Sequence, residues 1–305
     1  MNVLFKYYKT LPKGYLDNPT IKLSQTSKLN DPFEKTVDKS LMDLVLERKP
    51  NTGIEVKFIN SMKDAFPFIN ELNFRGLIEN IGIVSLTETP RNLLMWSHYA
   101  DQHKGICIGY KSDFLEERSQ LDPHLPSSYK ILKVNYDNCR YDQFTDIFST
   151  KNINELRRDI VLKSLLTKGD DWMYEKEHRA IIPMKFHDQV VCTGKNDANT
   201  YKEKYNFIEV IDNSNFKLNE VGKLNIHTIM DDEDLTFVMK IKQESIASIY
   251  FGCNSDIVEC NEIYEYIMTK KELSHIKIYQ TLPSKTKFEL NFVPFSEYGP
   301  PIEDD

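Results

Sequence analysis

One segment of this 305-residue chain changes from charged to apolar within a few residues: Trp172-Met173-Tyr174-Glu175-Lys176-Glu177-His178-Arg179-Ala180-Ile181-Ile182-Pro183. As a strand, it would carry Glu175, Glu177 and Arg179 on one face, because side chains alternate along a strand. As a helix, it would pair Glu175 with Arg179 at i,i+4 on a solvated surface. The apolar run that follows directly favours the strand, and both interpretations remain open from spacing alone.

On one strand face these three residues would form a charged group with a chemistry of its own. The Arg179 guanidinium can keep one neighbouring carboxylate ionised, while the pKa of the other carboxylate rises. Such a pair suits hydrogen bonding to ribose hydroxyls and the stabilisation of an oxocarbenium-like centre. We therefore predict Glu175, Glu177 and Arg179 as catalytic residues.

On either side of this segment, strand and helix periods follow one another irregularly. Strands are predicted at 4–8, 20–24, 81–86, 106–110, 132–136, 179–184, 246–251, 276–279 and 287–293. Helices are predicted at 39–48, 65–80, 91–101 (capped by Thr89, with Pro90 in the first turn), 153–167 and 256–271, and loops at 111–130 and 193–203. This order favours an α+β fold, with a mixed or antiparallel, split sheet flanked by helices, over a doubly wound sheet.

The length of the chain is sufficient for a core that needs neither disulfides nor a metal. We predict a single α+β domain over residues 1–298, which a C-terminal helix and strands at 256–295 complete, and a frayed tail at 299–305.

Composition and charge exclude several classes of protein. The 39 basic and 46 acidic residues leave a formal net charge of −7, which argues against bulk nucleic-acid binding. The five cysteines include no CxxC pair, which is typical of reduced thiols. Neither a leader nor an apolar run of about 18 residues is apparent, so we expect a cytoplasmic protein without membrane contact.

Two further segments carry polar residues of candidate sites. In the segment 93–105, Ser97, His98, Asp101 and His103 form a polar cluster near a glycine-marked turn, while helical spacing favours packing of Trp96 in the core. His98 and His103 would point about 140° apart on a helix, so no metal site is predicted. In the segment 24–34, the Asn-Asp-Pro turn signal is typical of a plain loop and is also compatible with a site.

Taken together, the segments resemble a bacterial family known as domain of unknown function 2971. The resemblance covers most of residues 4–254. It rests on Leu4-Phe5-Lys6-Tyr7-Tyr8, Leu23-Ser24 with Asn30-Asp31-Pro32-Phe33-Glu34, Ser85-Leu86-Thr87, Leu93-Leu94-Met95-Trp96-Ser97-His98-Tyr99-Ala100, Trp172 with Tyr174-Glu175-Lys176-Glu177-His178-Arg179, and Ile249-Tyr250-Phe251-Gly252-Cys253. The opening of that family looks similar to that of ADP-ribosyltransferase-like toxins.

This resemblance implies NAD as a co-substrate and assigns roles to residues. Lys6 would stand where many relatives have histidine, Ser24 would belong to the second strand, and Glu175 or Glu177 would be the catalytic carboxylate. His98 is predicted as a further catalytic residue. The predicted binding residues are Lys6, Tyr7, Tyr8, Ser24, Asn30, Asp31, Glu34, Trp96, Ser97, Tyr99 and Trp172.

Three functions are compatible with these observations. The first is an ADP-ribosyltransferase-like effector, in the setting of anti-phage defence, that cleaves NAD and modifies a protein or nucleic acid. The second is a nucleic-acid-cleaving or modifying defence effector, suggested by the His, Asp and Glu residues at 97–103 and 175–178. The third is a non-catalytic sensor or module that binds a partner protein of a defence system, with a cleft lined by Trp96, Tyr99 and Trp172.

Overall fold

A computed structural model of the protein describes residues 2–12, 14–35, 80–119, 129–139 and 161–298. The described chain combines sheets of mixed and antiparallel strands with several helices, so the predicted α+β fold class is confirmed. The predicted helix at 39–48, most of those at 65–80 and 153–167, and the tail at 299–305 lie outside the described residues. The boundary of the single predicted domain stays a prediction.

The elements of the described residues are numbered here in chain order. The strands are β1 (Val3–Tyr8), β2 (Thr20–Lys22), β3 (Ser24–Gln25), β4 (Ile81–Thr87), β5 (Ile106–Lys111), β6 (Ile131–Lys133), β7 (Asn135–Tyr136), β8 (Thr167–Lys168), β9 (Glu177–Pro183), β10 (Gln189–Cys192), β11 (Ile208–Asp212), β12 (Asn215–Leu218), β13 (Leu235–Lys240), β14 (Ile246–Phe251), β15 (Lys277–Pro283) and β16 (Leu290–Pro294). The helices are α1 (Leu93–Tyr99), α2 (Glu116–Ser119), α3 (Ala198–Lys204), α4 (Glu220–Leu224), α5 (His227–Met230) and α6 (Ile257–Thr269).

Shorter helical pieces connect these elements. Residues 161–165 are helical. The 3₁₀ helices are Thr26–Lys28, Pro32–Lys35, Asp170–Glu175, Met184–Phe186, Gln243–Ser245, Lys271–Leu273 and Phe295–Glu297.

The main sheet has the order β16-β15-β14-β5-β1-β4-β9-β6, with β3 also paired to β4. Among its described pairs, β14 and β15 are parallel and the others antiparallel. β4 and β9 are paired along their whole length, from Ile81 opposite Pro183 to Thr87 opposite Glu177. In contrast, β1 and β4 share one register pair, Phe5 opposite Thr87. The sheet therefore opens between β1 and β4.

A second sheet, with the order β11-β12-β10-β13-β2, packs beside the main one. The chain passes from the second sheet to the main sheet between β2 and β3, where the Leu23 amide donates to the Phe237 carbonyl at 2.9 Å. Ile21, Leu23 and Phe237 are buried in the shared apolar core. This crossing fixes the residues after β2 at the edge of the opening between β1 and β4.

Helix α1 begins later than the sequence predicts. Asn92, rather than Thr89, is its N-cap, because the Asn92 side chain accepts from the amides of Leu94 and Met95. The predicted first turn at Pro90 is thus part of the preceding loop. The helix also ends at Tyr99, before the predicted Asp101, since residues 101–103 have φ of 45°, 54° and 69°, in the left-handed region.

The predicted loop at 193–203 was wrong in its second half. Helix α3 begins at Ala198, and the Asp197 carboxylate caps it by accepting from the Thr200 amide at 2.8 Å. The Asp-Ala-Asn-Thr sequence therefore marks a helix start. The predicted loop at 111–130 likewise contains α2 within its described part.

We expect Gly105, at the turn between α1 and β5, to be required by close backbone packing. An added Cβ would lie within 3.0 Å of the carbonyl oxygens of Tyr8 and Lys9, whereas one on Gly169 would meet nothing within 4 Å. Gly105→Ala should lower the free energy of unfolding in urea by about 1–3 kcal/mol. Gly169→Ala is the matched control, and an equal effect of both substitutions would contradict the packing argument.

Candidate functional site

A cleft of about 280 Å³ lies where β1 and β4 separate. β1, β4 and β9 contribute side chains from the sheet, and α1, β8 and the segments around residues 22–34 enclose the rest. The residues that line the cleft are Phe5, Lys6, Tyr7, Lys22, Ser24, Lys28, Leu29, Asn30, Glu34, Ser85, Leu86, Thr87, Met95, Tyr99, Lys168, Glu175, Glu177 and Arg179.

Arg179 is the centre of the charged wall of this cleft. Its side chain is 1% exposed. It donates from Nε to Oε1 of Glu177 at 2.8 Å and from Nη2 to Oε2 at 2.8 Å. It also forms an ion pair with Glu34 and donates to the carbonyl of Leu165 at 2.7 Å. The helical alternative, in which Arg179 pairs with Glu175 on a solvated surface, is therefore wrong.

Glu175 lies in the same wall, but it is not part of the strand that was expected to carry it. It ends the 3₁₀ helix Asp170–Glu175, and Lys176 then adopts a left-handed conformation with φ of 46° before β9 begins. This turn points both glutamates into the cleft. The Lys168 ammonium lies between them, 2.7 Å from Oε2 of Glu175 and 3.3 Å from Oε2 of Glu177.

These ion pairs determine the protonation of the buried carboxyls. Burial raises the pKa of Glu177, but Arg179, Lys168 and a hydrogen bond from Ser85 outweigh it and lower the pKa to about 2. Burial raises the pKa of Glu34, and Arg179 offsets this only in part. Glu177 is consequently a carboxylate throughout the physiological range.

Tyr99 connects Glu175 to the opposite side of the cleft. Its hydroxyl donates to Oε1 of Glu175 at 2.6 Å and accepts from Nδ2 of Asn30 at 3.0 Å. Burial and the Glu175 carboxylate both raise the pKa of Tyr99. The phenol therefore stays protonated and keeps donating to Glu175.

Lys6 spans the opening between β1 and β4. Its ammonium donates to the carbonyl oxygen of Ser85 at 2.9 Å. Burial and the nearby Lys22 lower the pKa of Lys6 to about 8, although Glu177 acts in the opposite direction. Lys6 is thus a cation at neutral pH, and its surroundings balance its positive charge only in part.

Thr87 lines the cleft but is not among the predicted site residues. Its side chain is 1% exposed, and Oγ1 has no hydrogen-bond partner among the described residues. Thr87 stands between Phe5 and Glu177 in the sheet register. A buried hydroxyl without a partner is unfavourable unless a ligand or water satisfies it. The sequence did contain a signal for Thr87, because Ser85 and Thr87 are two residues apart and so place two hydroxyl groups on the same face of a strand.

Lys22, Lys28 and Lys168 were also missed as cleft residues. Lys28 lies within the segment 24–34 and Lys22 two residues before Ser24, so both stand beside predicted site residues in the sequence, whereas no local spacing indicated Lys168. The Lys168 ammonium also lies 4.3 Å from the ring centre of Trp172, which places the predicted binding residue Trp172 behind the charged wall.

Several predicted site residues lie away from the cleft. Trp96 is fully buried in the core, with its indole N–H donating to the Pro90 carbonyl at 2.7 Å. The Tyr8 hydroxyl is hydrogen bonded to that of Tyr110 at 2.7 Å. Ser97 and His98 are exposed on α1 and do not line the cleft. We assign these four residues no part in the function proposed below.

Asp31 is buried beside a second, smaller cavity of about 190 Å³. Its carboxylate accepts from the Phe33 amide at 2.9 Å, as expected of the predicted turn. Glu34 and Lys168 line both cavities and so form the wall between them.

Two features are absent from the described part of the chain. It contains no group of three or more His, Cys, Asp or Glu side chains placed to hold a metal ion. Over the same residues, no helix combines the length and the apolar character needed to cross a membrane.

Residues 95–180 match the model of a family described as "Protein of unknown function (DUF2971)". The matched region includes six cleft residues, Met95, Tyr99, Lys168, Glu175, Glu177 and Arg179. No curated protein and no solved structure matches this chain.

We expect Glu177 to make folding stability sensitive to acid. Its folded-state pKa of about 2 lies below the ordinary 4.5, so its contribution is present above pH 4.5 and is lost as the pH falls towards 2. This contribution amounts to up to about 3 kcal/mol. Urea unfolding of the wild type and Glu177→Gln between pH 7 and 3 measures it. The difference between the two should shrink with acidification, and a constant difference would contradict this assignment.

Proposed function

We propose that the protein is an ADP-ribosyltransferase-like enzyme, which cleaves the glycosidic bond between nicotinamide and ribose in NAD and transfers ADP-ribose to a macromolecule. One observation carries the proposal: Glu175 and Glu177 line one cleft beside the Thr87 hydroxyl, which has no hydrogen-bond partner in the described part of the chain. Fixed negative charge of this kind stabilises a ribosyl cation, and the hydroxyl is suited to hold a ribose oxygen.

The other side of the cleft fits the planar leaving group. Phe5, Tyr7 and Met95 belong to one apolar cluster, and all three line the cleft. An aromatic ring binds well against such side chains. Nicotinamide would leave as a neutral molecule that takes the electron pair of the broken C–N bond. The acceptor nucleophile would then form a bond to the same ribose carbon and lose a proton.

The contacts of the two glutamates favour Glu175 as the reacting carboxylate. Both oxygens of Glu177 are held by Arg179, and one of them also by Lys168. Glu175 accepts one hydrogen bond on each oxygen, from Tyr99 and Lys168. A carboxylate oxygen has further lone pairs, so Glu175 can still accept from a ribose hydroxyl. Glu177 is in this scheme a positioning residue that holds Lys168 and Arg179 in place.

The neutralised carboxylates also favour a second candidate function, a ligand-binding module without turnover. Glu34, Glu175 and Glu177 each form an ion pair with Lys168 or Arg179. Positive neighbours weaken the stabilisation that a carboxylate gives to a developing cation. Under this alternative, NAD or a related nucleotide would bind in the cleft and remain intact.

We expect Glu175→Gln to reduce nicotinamide release from NAD by at least about 100-fold, because it removes the charge that stabilises the ribosyl cation. Glu175→Gln keeps the shape of the side chain, and thermal unfolding checks that the fold survives. Release is measured by chromatography in the presence of cell lysate as a source of acceptors. Glu88→Gln is the matched control, since Glu88 pairs at the surface with Lys133 and does not line the cleft.

The two candidate functions give different results in the same assay. Nicotinamide release by the wild type that Glu175→Gln abolishes supports the transferase. Calorimetric binding of NAD without release supports the binding module. Release that persists undiminished in Glu175→Gln would refute the proposed role of this carboxylate.

A further inference from the structure

We propose that Lys6, Lys22 and Lys28 form an anion subsite in the cleft that binds the diphosphate group of a nucleotide. Lys22 and Lys28 belong to β2 and the 3₁₀ helix Thr26–Lys28, and both line the cleft together with Lys6 of β1. The identity of the nucleotide rests on the proposed function. The subsite itself rests on the distribution of charge within the cleft.

The basic side chains that line the cleft differ in whether they form ion pairs. Lys168 and Arg179 are ion-paired with the three glutamates of the wall. The ammonium groups of Lys6, Lys22 and Lys28 form no ion pair with any side chain in the described ranges. Three positive charges therefore face one cleft of a chain whose net charge is −7.

Backbone carbonyls hold two of these ammonium groups in place without neutralising them. Lys6 donates to the Ser85 carbonyl and Lys28 to the Asp232 carbonyl, each at 2.9 Å. An ammonium group has three donors, so each of the two lysines keeps donors for a ligand. The subsite is thus preorganised, which lowers the entropic cost of binding an anion.

Neighbouring lysines destabilise the charged forms of Lys6 and Lys22. The pKa of Lys6 is lowered by burial and by Lys22, and the pKa of the more exposed Lys22 is lowered by partial desolvation and by Lys28. An anion between them would remove this repulsion. Three cations on three separate elements fit a group that carries at least two negative charges and several oxygens, as a diphosphate does. A single carboxylate would leave most of the repulsion in place.

Calorimetric titration with inorganic pyrophosphate tests the subsite directly. We expect the wild type to bind it, and Lys22→Gln and Lys28→Gln each to weaken binding about ten-fold, the usual effect of losing a hydrogen bond to a charged group. Lys277→Gln is the matched control, because Lys277 is an exposed lysine of β15 outside the cleft. Lys22 is exposed and Lys28 half-buried, and circular dichroism checks the fold of each variant.

The outcome separates this inference from the proposed function. Pyrophosphate binding that the two substitutions weaken and the control does not supports the subsite, whether or not NAD is cleaved. No binding to the wild type, or equal binding to all variants, overturns it. Nicotinamide release, measured on the wild type in a separate assay, reports on the transferase alone, so the failure of one proposal is distinguishable from the failure of the other.

Discussion

The guanidinium of Arg179 lies almost entirely out of contact with water. The arrangement of the site follows from the need to pair this charge and to hydrogen bond its N–H groups. A charge in a protein interior is strongly destabilising unless paired and hydrogen bonded. Its partners are Glu177, Glu34 and the Leu165 carbonyl, which come from β9, the 3₁₀ helix Pro32–Lys35 and the helical segment 161–165. One side chain thus joins parts of the chain that are up to 145 residues apart. Because these partners are held in the protein interior, the charged wall exists before any ligand binds.

The opening between β1 and β4 forms the cleft that this charged wall lines. Strands that separate leave backbone groups without their ladder partners, which is unfavourable. Here the Lys6 ammonium satisfies the Ser85 carbonyl, and β3 pairs with the first part of β4. A cavity that would weaken an ordinary sheet is thereby tolerated. Side chains from β1, β4 and β9 then line it at fixed positions, since strands are among the most rigid supports for a binding site.

Local pattern predicted the strands of the main sheet better than those of the second sheet. The apolar runs at 81–86 and 246–251 are buried on both faces and were evident from the sequence. β11, in contrast, is largely exposed, and its mixture of apolar and acidic residues gives no clear period. The pattern also failed at α1, where the side chain of Asn92 caps the helix in place of the predicted Thr89.

Within the site, the segment Glu175 to Arg179 was identifiable because unusual charge precedes a buried strand. Lys22 and Lys28 stand beside predicted site residues and were overlooked, whereas Lys168 was not identifiable because only folding brings it between Glu175 and Glu177. Trp96 and His98 are neighbours in a distinctive segment, yet one is core and the other surface. Composition of a segment shows that a site is near, but the face that each residue presents is decided by tertiary packing.

The left-handed residue between the two glutamates bears on how such chains diverge in evolution. Lys176 has a φ of 46°, a conformation that Gly, Asn and Asp adopt most readily and that β-branched residues avoid. Relatives should therefore vary at this position within a narrow set of residue types. The spacing between the glutamates is also constrained, because an insertion or deletion there would alter the left-handed turn that points both carboxylates into the cleft. A two-residue spacing with an unbranched residue in its middle is thus a sharper criterion for recognising distant homologues than the glutamates alone.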